Sequence, residues 1–205
     1  MPRLEYRECY FTDAFATSFA IANRLNGARH ELSASDGGHV TYSHFVHTFY
    51  EIVPPDRYFA THPEYFALVD GERRGEHAQL CLTNPAVVQL AIAAVRSWIA
   101  SDPDAAIFSV SQNDCLNPCA CDGCRAIDDR EGSHAGSLLA FVNQVAAAIA
   151  AEHPDRAIDT LAYQYTRKPP RTPSTARQCH RAPVLDRVLL QPSARDLSQE
   201  RGVSR

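Results

Sequence analysis

"NPAVVQLAIAAVRSWIASDPDAAIFSVSQ", residues 84–112, decides how the chain folds. Asn84 is placed to cap a helix, and Pro85 suits the first helical position. Val88, Ala91, Ile92, Val95, Trp98 and Ile99 recur at helical spacing and make one apolar face. "SDP" ends the helix, and "AAIFSVSQ" then reads as a buried strand. The alternation repeats downstream. "SLLAFVNQVAAAIAAEHPD" puts Leu138, Phe141, Val142, Val145 and Ile149 on one helical face, Pro154 stops it, and "AIDTLAYQY" is the next strand. Strands separated by helices pair in parallel through helical crossovers, so the class is α/β. Pattern alone leaves a barrel and an open sheet as alternatives.

Upstream, "LEYREC" and "HVTYSHFVHTFY" read as strands, rich in aromatic and β-branched residues and flanked by turns such as "ASDGG". Between them and the first long helix lies "EIVPPDRYFATHPEYFALVDGERRGEHAQLCLTNP". A connection of that length is functional or carries short elements of its own. From about Lys168 the composition shifts to scattered Arg, Pro and Ser. That divides the chain into a domain over residues 1–170 and a tail of disordered composition over 171–205.

At 205 residues the chain is long enough for one domain with a real core. A net charge of -4 gives no electrostatic footprint for nucleic acid. No window reads as an apolar run long enough to span a membrane. The opening "MPRLEYRECYFTDAF" has no apolar signal core, so the chain as written reads as cytoplasmic. Seven cysteines is an odd number in a chain too large to need disulfide staples, which favours reduced thiols, with metal binding the sharper alternative.

Four groups of residues carry candidate chemistry. In α/β folds ligands lie beyond the carboxyl ends of the strands, and Asn113 and Asp114 fall there. An amide beside a carboxyl group can orient a polar substrate group and transfer a proton; the alternative is a simple turn, which both residues favour. Next come the cysteines, spaced Cys115-x3-Cys119-x-Cys121-x2-Cys124. Cys121 and Cys124 form the pair that zinc sites use, Cys119 could add a third ligand, and Cys115 a fourth at steric cost. Packing or surface thiols are the other reading. A catalytic thiol needs a cationic neighbour, and the nearest in sequence is Arg125. Finally, His44 and His47 are three apart, so a strand would point them to opposite faces, with one free to meet substrate or pack. Tyr163 and Tyr165 are two apart and would share a face, suited to a sugar ring or to ordinary packing. Gly132, Ser133 and Gly136 open the last helix without the pattern of a phosphate loop.

"GHVTYSHFVHTFYEIVPPDRYFATHPEYFALVDGERR", "QLCLTNPAVV", "SVSQND" followed by "CACDGC", "EGSHAGSLLAFVNQVA" and "IDTLAYQYTRKPP" resemble the domain-of-unknown-function family DUF4838, nearly continuously from Leu4 to Pro170. That family is similar to glycoside hydrolase family 163, which acts on N-acetylglucosamine-containing glycans, and more distantly to families 20 and 67. The resemblance implies a (β/α)8 barrel, of which this chain supplies an incomplete, TIM-barrel-like part, and a carbohydrate substrate with no required cofactor. It implies Asp114 as general acid, with Asn113, His47, Tyr163 and Tyr165 as sugar contacts. Cys119, Cys121 and Cys124 remain candidates for a structural zinc. A non-catalytic sugar-binding or zinc-stabilised α/β module is the alternative.

The chain departs from the family pattern in two places. The opening barrel strand is missing before "LEYREC". After "KPP", where members continue with something like "RPNVIVRLCSIECCFSHPL", this chain reads "TPSTARQCHRAPVLDRVLLQPSAR". The observed tail back-translates to a close relative of the family peptide one nucleotide out of phase, which points to a frameshift near Pro170–Arg171. The glutamate of "SIE" would have been a second carboxylate, so the chain alone is expected to be inactive.

Overall fold

A computed structural model of the chain describes residues 6–172. In chain order it contains α1 (Thr17–Asn23), β1 (Tyr42–Ser43), α2 (Phe49–Ile52), α3 (Pro55–Tyr58), β2 (Leu68–Val69), β3 (Glu72–Arg73), α4 (Pro85–Ser101), β4 (Ile107–Ser109), α5 (Asp122–Glu131), α6 (Ala135–Glu152) and β5 (Ala157–Asp159). The tail from residue 173 onward, and with it most of the stretch expected to be frameshifted, lies outside the described residues.

Helix α4 begins as its sequence dictates. The Asn84 side chain accepts a hydrogen bond from the Ala86 N–H, and Pro85 occupies the first turn. All six residues of the expected apolar face are buried, and so are the five on α6. The two helices pack on each other and on one face of a three-stranded parallel sheet, ordered β1-β4-β5. Phe108, Val110 and Ile158 point into that helical layer. Ile107, Ala157 and Tyr42 point to the opposite face, where Tyr6 covers them. Phe49 and Phe141 meet edge-on at 5.8 Å in the main core and are fully buried, each a burial of roughly 1.5–3 kcal/mol.

The sheet runs in sequence order. A parallel bridge between Gly27 and Val40 adds a further track beside β1, ahead of it in the chain. The fold is therefore mixed α/β with an open parallel sheet; no closed barrel is formed by the described residues. The β1–α4 connection carries short elements, as its length required: α2, α3, and the antiparallel β2–β3 hairpin.

Three expectations are corrected. "LEYREC" is irregular over residues 6–9; its first two residues lie outside the described ones. "HVTYSHFVHTFY" holds only the two-residue β1, because His44 and His47 both adopt left-handed backbone (φ 51° and 61°) that no strand accommodates. The chain also contains an element long and apolar enough to cross a membrane, α6, with a hydropathy of 1.3. Half of that helix is buried inside the fold, the mark of a core helix.

Candidate functional site

Loops leaving the carboxyl ends of β1, β4 and β5 meet on one edge of the sheet. After β1 the chain turns at His44, whose ring stacks on Trp98 at 4.0 Å and pairs with Glu51 at 2.7 Å. Residues 47–49 then run beside the extension of β4. The His47 N–H donates to Ser111 Oγ, the Ser111 N–H donates to Thr48 Oγ1, and the Phe49 N–H donates to the Ser111 carbonyl. This fixes the His47 ring. Its Nδ1 lies 2.7 Å from the Gln112 carbonyl, which can only accept, so Nδ1 carries the proton. With Nδ1 committed to that carbonyl, Nε2 is the ring nitrogen left to meet a ligand.

Two buried glutamines knit the loops. Gln79 Oε1 accepts from the Asn113 N–H, and its Nε2 lies within donating distance of the Asn113, Cys115 and Leu116 carbonyls. Gln112 Nε2 donates to the Tyr163 carbonyl, and its Oε1 accepts from Thr166 Oγ1. Neither residue stood out in the sequence, since a lone Gln gives no signal of what it will hold. Replacing Gln79 with Leu strands a buried N–H and several carbonyls. Urea denaturation should show about 2–3 kcal/mol lost, with unchanged secondary structure by circular dichroism.

The expected site residues divide. Asp114 is exposed at the rim, and Gln164 Nε2 donates to its Oδ1 at 3.3 Å. His47 and Tyr163 face each other, ring centres 5.7 Å apart. Asn113 is buried and committed to main chain: its Nδ2 donates to the Ala78 carbonyl, and its Oδ1 accepts from the Tyr50 N–H. The two tyrosines do not share a strand face, because β5 stops at Asp159 and Gln164 turns left-handed (φ 51°) between them. Tyr165 instead meets His134 edge-on at 5.8 Å, and burial pushes its hydroxyl pKa up.

One acid escaped the sequence reading. Asp159 ends β5 on the face away from α4 and α6 and is 2% exposed. Burial pushes its carboxyl up to about 7, and the neighbouring Tyr42 and Ser109 hydroxyls draw it back only in part. The signal was a carboxylate in the apolar run "AIDTLAY".

The thiols form a separate cluster. Sγ atoms of Cys81, Cys119, Cys121 and Cys124 all lie within 4.8 Å of one another. The three expected ligands are thus brought together, but the fourth member is Cys81, from far upstream. Cys115 turns away, its thiol toward the Ala78 carbonyl. Cys119 is buried beside the Leu68 N–H and the Arg73 guanidinium, so the nearby cation is Arg73 and not Arg125. Thiols this close titrate together: Cys81 is drawn below the usual thiol range by its thiol neighbours, while Cys119 and Cys124 are pushed above it. The cluster has the composition and spacing to bind a metal.

The sequence model of the domain-of-unknown-function family DUF4838 matches residues 1–178. The chain belongs to DUF4838. No curated protein and no solved structure matches it. Within the matched residues, "SVSQND" supplies the rim at Asp114, "CACDGC" supplies three of the clustered thiols, and "QLCLTNP" supplies both Gln79 and the fourth thiol.

Proposed function

We propose that this DUF4838 chain forms part of a (β/α)8 glycoside hydrolase acting on N-acetylglucosamine-containing glycans, with Asp114 as general acid. The observation that carries this reading is the convergence of His47, Asp114 and Tyr163 at the carboxyl edge of a parallel sheet. Parallel strands succeeding one another in sequence order, with both long helices on one face, match a singly wound barrel. A doubly wound sheet reverses its strand order and carries helices on both faces. The choice of a glycan rests on the likeness of the chain's motifs to glycoside hydrolase family 163.

In this reading the Tyr163 ring offers an apolar face to a sugar, and His47 Nε2 accepts from a hydroxyl. Gln164 orients the Asp114 carboxyl toward the glycosidic oxygen. Asn113 and Tyr165 hold the rim instead of touching sugar. Hydrolysis takes a second carboxylate, unless the substrate's own acetamido group supplies the nucleophile. The four-thiol cluster favours a second reading, a metal-stabilised module that binds sugar without cleaving it.

Calorimetric titration of the chain with an N-acetylglucosamine oligosaccharide separates these readings from neither being right. Saturable binding, weakened about tenfold or more by Tyr163→Ala, supports a sugar site. No heat at millimolar sugar removes the sugar-binding module, and no heat with a protein that carries the rest of the barrel removes the hydrolase.

A further inference from the structure

We propose that Cys81, Cys119, Cys121 and Cys124 together hold one zinc ion as a structural tetrathiolate centre. The spacing fits a single ion. Zinc–sulfur bonds of about 2.3 Å in a tetrahedron place the sulfurs about 3.8 Å apart. Here Cys81 and Cys121 Sγ are 3.6 Å apart, and all four sulfurs fall within 4.8 Å. Four thiolates leave no open position, which is the mark of a structural and not a catalytic zinc.

The surroundings are those of a thiolate–metal site. The Leu68 N–H points at Cys119 Sγ from 3.4 Å, and Arg73 Nη1 lies 3.8 Å from the same sulfur. Arg73 is itself oriented by donating to the Phe66 carbonyl at 2.7 Å. Thr83 Oγ1 is 3.3 Å from Cys124 Sγ and 3.7 Å from Cys121 Sγ. A zinc tetrathiolate carries two net negative charges, and N–H and guanidinium donors to sulfur are what stabilise it. Gly123 has no room for a side chain: a Cβ there would stand 2.7 Å from Thr83 Oγ1. The first turn of α5 therefore packs directly on the Thr83 side chain at that position. Three of the four cysteines are buried, so the ion would be shielded from solvent.

Binding displaces the thiol protons to water while zinc keeps its oxidation state, so no oxidant or reductant enters. The ion would reinforce a junction of three segments that already meet through main-chain hydrogen bonds, from the Cys81 N–H to the Tyr65 carbonyl and from the Ala120 N–H to the Leu68 carbonyl. Cys81 lies just ahead of the Asn84 cap of α4, Cys119 lies against the β2–β3 hairpin, and Cys121 and Cys124 open α5. The loop between β4 and this knot is the one carrying Asp114. The proposal rests on the glycan reading only for what the ion holds in place, and the experiment reads metal alone.

Cobalt(II) titrated into the reduced, metal-free chain should give thiolate-to-metal charge transfer and intense tetrahedral bands that saturate near about one equivalent. Zinc should then displace the cobalt. Cys115→Ser should titrate as the parent does. Cys81→Ser should bind weaker on the order of a hundredfold or more, with reduced charge-transfer intensity per cobalt. Should Cys81→Ser fail to fold, alkylation of the parent chain decides. Zinc should protect Cys81, Cys119, Cys121 and Cys124 while Cys9 and Cys115 react. The proposal is overturned if no charge transfer appears, if Cys115→Ser abolishes it, if zinc leaves the alkylation rate of Cys81 unchanged, or if Cys81 and Cys121 are found as a disulfide under reducing conditions.

Discussion

On the proposed hydrolase reading, Asp114→Asn in a protein with the full barrel should lower glycan turnover by about two to four orders of magnitude and leave sugar affinity within a few-fold. The amide keeps the shape of the carboxyl group and its contact with Gln164, but it has no proton to give the leaving oxygen. The loss should therefore fall on kcat and spare KM. It should also shrink for substrates whose leaving group needs no protonation, such as activated aryl glycosides. An equal loss for natural and activated substrates would assign Asp114 to holding the rim, and turnover near the parent level would remove it from the mechanism.

Asp159→Asn should abolish a pH dependence of stability that the parent protein shows. The folded carboxyl is held at about 7, against an ordinary value of 3.8. Between those limits the folded state binds more protons than the unfolded chain, so stability falls as pH rises through this window and is level above it. The displacement from 3.8 to about 7 corresponds to about 4 kcal/mol. The asparagine variant has no such slope, and urea midpoints measured from pH 4 to 8 should cross. The parent is the more stable at the acid end, and the variant at the alkaline end. Parallel curves would place the carboxyl in contact with water or a cation. The physical source is the sheet face away from α4 and α6, where the polar groups beside Asp159 are hydroxyls and one oxygen, Oδ1, finds no hydrogen-bond partner among the described residues.

The helices were legible because their periodicity is local. Every residue named on the faces of α4 and α6 is buried, and the Asn84 cap forms as its side chain dictates. The strands were legible as apolar runs, but their ends were not. Pairing stops at Ser109 and Asp159 because the chain beyond them bonds to neighbouring loops: Ser111 to Thr48, Gln112 to Thr166. That is why the face-sharing expected of Tyr163 and Tyr165 fails. Helix α5 gave little apolar pattern in "DGCRAIDDRE", and its clearest punctuation is Gly132, left-handed at φ 67° just past its end. In the site, position relative to the strand ends placed Asp114, His47 and Tyr163 on one edge. Cys81 was beyond reach because a thiol far upstream meets the other three only through the packing of the hairpin and the two helix starts. Asp159 looked like one more strand residue, since a sequence does not state what surrounds a carboxylate.

The central claim is that the carboxyl edge of the sheet is a sugar site, and isotope-labelled chain titrated with an N-acetylglucosamine oligosaccharide tests it most directly. The account predicts saturable shifts of the His47 and Tyr163 ring resonances and of the Asp114 side chain, sharing one dissociation constant. Shifts confined to residues away from this edge, or none at millimolar sugar, would contradict it.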